Sequence, residues 1–134
     1  MFVWPVRVYY EDTDSGGVVY YANYLKFMER ARTEWLRARG LEQDALLREQ
    51  RVMFAVRSLT VDYHRPARFN DLLVVHSRIV EERGASFLFE QTIQRDASAD
   101  ILCGARVRVA CIDAETFRAR RIPRHLRETR GDCR

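Results

Sequence analysis

The apolar positions of this chain change period twice. From Val3 to Tyr10, Val6 and Val8 alternate with Pro5 and Arg7, the two-residue repeat of a half-buried strand. From Tyr21 the repeat lengthens: Tyr21, Tyr24, Leu25, Met28, Ala31, Trp35 and Leu36 recur at steps of three and four, with Lys26, Glu29, Arg30, Arg32, Glu34 and Arg37 mostly elsewhere. That spacing predicts one helix of about five turns, ended by Gly40, where a left-handed cap costs little. Burying each large member of the stripe is worth roughly 1.5 to 3 kcal/mol, so the helix needs a broad apolar surface opposite it. After a short helical piece around Asp44 to Glu49, four β-branched and aromatic runs supply that surface: Val52–Tyr63, Leu72–Glu81, Ala85–Arg95 and Ile101–Asp113. The turn signals Arg65-Pro66 to Asn70-Asp71, Arg83-Gly84 and Asp96 to Asp100 separate them. Short connections favour antiparallel neighbours, so the order β, α, β, β, β, β predicts an α+β domain, a strongly curved antiparallel sheet wrapped around one helix.

Length and charge narrow the picture. The 134 residues suffice for one core and are too few for two ordinary domains. No basic start followed by an apolar run opens the chain, and no apolar run reaches membrane-spanning length, so neither a signal peptide nor a spanning helix is expected. Cys103, Cys111 and Cys133 match neither a disulfide framework nor a zinc motif and fit a reducing cytoplasm. The formal charge is +4, and residues 114–134 account for all of it, with seven Arg against Glu115, Glu128 and Asp132. The basic end, from residue 124 onward, reads as a tail after a single domain at 1–123. It is either a solvated extension or a surface for an anionic partner.

The candidate chemistry lies between the first strand and the helix, in Glu11-Asp12-Thr13-Asp14-Ser15-Gly16-Gly17-Val18-Val19-Tyr20-Tyr21. The first turn of a helix has unpaired N–H donors and the positive end of a dipole, so a carboxylate and a developing oxyanion can both be held there. On residue type alone Asp12 and Asp14 read equally as turn and cap residues. Glu29 reads as a helix-face partner of Arg32 or Arg30, and His64, His76 and His125 as surface or structural histidines.

This loop, with Trp4-Pro5-Val6-Arg7-Val8-Tyr9-Tyr10 before it and Ala22-Asn23-Tyr24 and Glu29-Arg30-Ala31-Arg32-Thr33-Glu34 after it, closely resembles hotdog-fold acyl-CoA thioesterases of the 4-hydroxybenzoyl-CoA thioesterase type. Within that group it is most similar to the Tol-Pal-associated YbgC thioesterases. The resemblance runs from about Phe2 to Pro123 and includes Val56-Arg57 to Tyr63, Pro66-Ala67-Arg68, the Arg83-Gly84-Ala85-Ser86-Phe87 turn and Ile122-Pro123. It implies a hotdog fold, a five-stranded antiparallel sheet around one long central helix, in a homodimer or homotetramer with the active site at a subunit interface.

By the same resemblance Asp14 is the catalytic carboxylate, acting as nucleophile or general base, and the Tyr21 backbone N–H is the oxyanion donor. Gly16 and Gly17 permit the tight turn and close approach of substrate. Tyr20 and Tyr24 are expected to line the acyl pocket. Arg83 and Arg118, with Ser86 in the turn after Arg83, are expected to meet the coenzyme A portion, and Arg57, Arg120 and Arg121 are weaker candidates. Close relatives often carry His where this chain has Tyr21. No metal or separate cofactor is expected, coenzyme A being part of the substrate. The alternative is a binding module whose basic tail docks an acidic acyl carrier protein or a membrane-associated assembly, which would add a peripheral position at the inner membrane to the cytoplasmic location. Nucleic acid is not an expected partner, because few aromatics stand among the tail's arginines. A hotdog dehydratase would want a His paired with a carboxylate near the helix, and the loop offers none.

Overall fold

The apolar stripe forms α1 (Tyr21–Ala38), which buries Tyr24, Phe27, Met28, Ala31, Trp35 and Leu36. The computed structural model describes residues 1–40 and 42–123; the basic segment 124–134, with His125 and Cys133, lies outside the described residues. Ahead of α1 come β1 (Phe2–Arg7) and one 3-10 turn at Tyr10–Asp12; after it come α2 (Gln43–Gln50), β2 (Val52–Tyr63), β3 (Leu72–Arg83), β4 (Ser86–Arg95) and β5 (Ile101–Asp113). The strands make one antiparallel sheet in the order β1-β3-β4-β5-β2. Among the described residues there are therefore two α-helices, the long α1 and the short α2, which packs against β2.

One face of the sheet is the floor under α1. Leu73, Val75 and Ile79 of β3, Phe87, Phe89 and Ile93 of β4 and Cys103, Ala105, Val107, Val109 and Cys111 of β5 are buried in a single cluster with the α1 stripe. Trp35 meets Phe87 and Phe89 edge-on, with ring centroids 5.7 and 5.5 Å away, a geometry worth about 0.5 to 1.5 kcal/mol per pair beyond area burial. Burial pushes the Cys103 thiol up to about 12 and the Cys111 thiol up to about 11, so both remain protonated near neutral pH.

β1 ends at Arg7 rather than running to Tyr10, because the Asp12 carboxylate turns back to accept the Tyr9 amide at 2.9 Å and the chain closes into the 3-10 turn. β3 continues to Arg83 through a bulge between Ile79 and Glu81. β2 forms the other edge, and along it Val56 and Leu59 are exposed. Among the described residues no strand pairs with its outer side, and an edge of this length is a ready template for another strand. None of the described helices is long and apolar enough to cross a membrane.

Candidate active site

The acidic loop is a compact turn clamped between α1 and the β2–β3 connection. The Asp14 amide donates to the Val18 carbonyl at 2.9 Å and the Gly17 amide to the Asp14 carbonyl at 3.1 Å, while Gly17 itself sits at φ 81°. Asp14 Oδ1 accepts the Gly16 amide at 2.8 Å, and a Cβ on Gly16 would come within 3.2 Å of that oxygen. Gly17 therefore supplies the left-handed backbone and Gly16 the clearance beside the carboxylate. In the single chain Asp14 is exposed.

Four further hydrogen bonds fix where α1 begins. The Tyr20 amide donates to the Asp12 carbonyl at 2.9 Å, and Asn23 Nδ2 donates to the same oxygen at 2.9 Å. The Val19 amide bonds the Ala67 carbonyl at 2.8 Å, and the Ala67 amide donates to the Tyr24 hydroxyl at 2.9 Å. The helix N-cap is Tyr20, which makes no side-chain capping bond, and no acidic residue stands in the first turn. Among the described residues no backbone acceptor takes the Tyr21 amide. A donor at the positive end of an 18-residue helix is thus available to an anionic oxygen.

Aromatic rings surround this end of α1. Tyr20 and Tyr21 are exposed with ring centroids 4.8 Å apart, and the Tyr63 hydroxyl donates to the Tyr21 carbonyl at 3.1 Å. A hydrogen bond with Tyr21 is the largest influence raising the Tyr20 phenol above its ordinary value; burial is the largest for Tyr63. Tyr24, expected to line an acyl pocket, is instead buried, its ring against Phe27 and Tyr63 and its hydroxyl held by Ala67. It carries the loop from beneath.

Arg83, Ser86 and Arg118 lie elsewhere. Val18 bridges Arg68, just before β3 starts at Leu72, whereas Arg83 ends that strand, about 35 Å away along a strand of this length. At that far end the Arg118 carbonyl accepts the Asp113 amide at 2.8 Å and the Gly84 carbonyl accepts the Ile122 amide at 2.9 Å, so the two arginine segments share one end of the sheet. Arg83 and Arg118 are exposed, and Arg83 pairs with Glu81 at 2.7 Å. The Arg108 guanidinium, together with Arg83, holds the Glu81 carboxyl below the usual range against the opposing effect of burial. Ser86 is buried, its hydroxyl accepting from Arg108 Nη1 at 3.3 Å. Arg120 is tied to Asp113 Oδ2 at 2.9 Å.

The sequence reading passed over Asn23, Asp71 and Tyr63. Asp71 Oδ2 accepts the Arg68 amide at 2.9 Å and Arg95 Nε at 3.0 Å, which braces the connection the acidic loop leans on. Asn23 had a signal: it is a polar residue next to Tyr24 on the side of the helix that becomes buried.

The sequence pattern of the Thioesterase-like superfamily matches residues 8–129. Acyl-CoA thioesterase YbgC of Haemophilus influenzae is 47% identical over 126 residues, covering 94% of this chain and 91% of that protein. The chain belongs to the YbgC thioesterase family. Acyl-CoA thioester hydrolase YbgC of Escherichia coli O6:H1 is 48% identical over 94% of this chain and 92% of its own length. Among solved structures, a probable thioesterase from Bartonella henselae superposes with a TM-score of 0.84 at 39% identity, covering 90% of this chain and 98% of that one. The acidic loop and the start of α1 both fall within the matched region.

Proposed function

We propose that the protein hydrolyses acyl-CoA thioesters to the free acid and coenzyme A, at a site completed by two copies of the chain. The observation that carries this reading is the Asp14 turn, fixed through Asp12 and Asn23 to a helix start whose Tyr21 amide is unspent. The thioester carbonyl oxygen accepts that amide, and removing one such donor typically costs about 2.7 to 4 kcal/mol of barrier lowering. As general base, Asp14 takes a proton from water while the water oxygen bonds to the carbonyl carbon. The tetrahedral intermediate then collapses, the C–S bond breaks, and the thiolate of coenzyme A recovers the proton. As nucleophile, Asp14 displaces the thiolate to form a mixed anhydride, which water opens.

The separation of Asp14 from Arg83 and Arg118 is the reason for two copies. Pairing the exposed β2 edges about a two-fold axis runs the strands antiparallel, so the Tyr63 end of one copy lies against the Val52 end of the other. Tyr63 touches Tyr21, and Val52 pairs with Asp113, the residue bonded to Arg118. Asp14 of one copy thereby faces the arginine end of the second, where guanidinium groups suit the phosphates of coenzyme A. A dimer is the smallest assembly that completes the site. In this reading α1 is the central helix of a hotdog fold and α2 an accessory to it, and the free cysteines fit a cytoplasmic location. The test is Asp14→Asn: the variant stays folded and dimeric, and thiol release from acyl-CoA falls by orders of magnitude. Turnover at the parent rate removes Asp14 from the mechanism.

A further inference from the structure

Between α1 and the β2 side of the sheet lie two neighbouring cavities. One, of about 480 Å³, is walled by Leu25, Met28, Val56, Leu59 and Val107, with Lys26 and Arg30 also in its lining. The other, of about 120 Å³, is walled by Trp35, Leu36, Phe54, Phe87, Phe89 and Val109. Glu29, Arg32 and Val56 belong to both walls and so stand between them.

Of the cations along the larger cavity, Lys26, Arg30 and Arg32, it is Arg32 that also lines the smaller one, and it is held there. Its Nη1 donates to Gln91 Oε1 at 2.8 Å. Gln91 is fully buried in β4, and its Nε2 donates to the Met28 carbonyl of α1 at 3.0 Å and to Ser77 Oγ of β3 at 2.8 Å. An amide bonded on both sides cannot turn without leaving a buried group unpaired, so the guanidinium is anchored from the floor of the sheet. Burial lowers the Arg32 pKa while Glu29 opposes the shift.

We propose that Arg32, tethered by Gln91, is the stop that sets how long an acyl group this enzyme accepts. The inference rests on the acyl-CoA reading above. With the thioester carbonyl on the Tyr21 amide, the acyl group runs along α1, enters the larger cavity about 6 Å on at Leu25, and meets the guanidinium near the Met28 carbonyl, short of the Arg32 backbone level about 16 Å from Tyr21. An extended chain advances about 1.25 Å per carbon, which gives a limit of roughly ten to twelve carbons. A longer chain would have to strip a tethered charged group of its polar contacts to pass. Beyond the stop, the smaller cavity is somewhat below the roughly 150 Å³ that holds a benzene ring, so opening it would admit about four more carbons.

The experiment measures kcat/KM for a series of saturated acyl-CoA esters from short to long, by thiol release, for the parent enzyme, Arg32→Ala, Gln91→Leu and the milder Arg32→Lys. The readout is the ratio of long-chain to short-chain values, which is independent of any general loss of activity. In the parent, the value drops about tenfold or more across the limit. In Arg32→Ala the drop moves to acyl groups about four carbons longer, and in Gln91→Leu and Arg32→Lys it moves the same way by less. If Arg32→Ala does not fold, the shift in Arg32→Lys decides. A profile unchanged in every folded variant overturns the stop while leaving the hydrolase intact. A parent enzyme inactive on every acyl-CoA overturns the functional reading itself.

Discussion

Replacing Asn23 by Ala tests whether the carboxylate turn works because it is bolted to the helix start. Asn23 is buried, and its side chain is held by the 2.9 Å contact from Nδ2 to the Asp12 carbonyl. Losing an ordinary hydrogen bond costs about 0.5 to 1.5 kcal/mol. Here the acceptor keeps the Tyr20 amide at 2.9 Å, so nothing buried is orphaned, and Ala regains a few tenths by its better helix propensity. The net loss of stability is about 1 kcal/mol, a fall of a few degrees in the melting temperature. Activity falls further, because a displacement of about 1 Å at a reacting group can cost roughly a hundredfold; a drop of about 10- to 100-fold in kcat/KM is expected. The assay is thiol release beside thermal melts followed by circular dichroism, with a double-mutant cycle against Asp14→Asn. Asn23 acts through the placement of Asp14, so the double variant turns over no more slowly than Asp14→Asn alone. A folded Asn23→Ala enzyme within about twofold of the parent, or losses that add in the double variant, refutes the reasoning.

Three other outcomes follow, two from the structure and one from the sequence. Gly17→Ala forces an L-residue to φ 81° with no steric clash nearby, so it loses about 1 to 2 kcal/mol of stability through the backbone alone, together with turnover; an unshifted melt would mean the turn relaxes elsewhere. The carboxyls of Glu81, Glu90 and Asp113 are held below their ordinary values, chiefly by Arg108, by Arg78 and by the Thr116 amide respectively. Their stabilisation is present above the unfolded values of 4.5 and 3.8 and is lost as pH falls through the lower folded ones, so denaturant midpoints decline in acid and Glu90→Gln flattens that decline; a parallel curve for the variant would contradict it. Deleting residues 124–134 discriminates the alternative reading: a tail that docks an acidic acyl carrier protein loses salt-dependent association on deletion while thiol release from acyl-CoA persists, and unchanged affinity rules the tail out as a docking surface.

Legibility followed the range of the physics. Hydrophobic period is a property of neighbouring residues, and the strand at β1, the long helix from Tyr21 and the four later strands could all be read from it, with errors only at ends such as Tyr9 and Tyr10, where Asp12 pulls the chain out of the ladder. The acidic loop was equally readable, since Gly17 and the helix behind it act within a few positions. Partnership across the fold was not. Tyr24 and Ser86 look like ligand contacts in one dimension and are buried in three, and Asn23 looks like an ordinary helix residue until it reaches Asp12.

By itself, then, the order of residues determined the elements, the apolar face of α1 and the carboxylate turn, because short-range sterics and periodic burial decide those. Only the tertiary structure decided that Asp14 and the Arg83–Arg118 end lie at opposite ends of a sheet, and that Arg32 is held by Gln91 across 59 positions of chain. Such pairings depend on strand order and register, which emerge when the sheet closes under the helix.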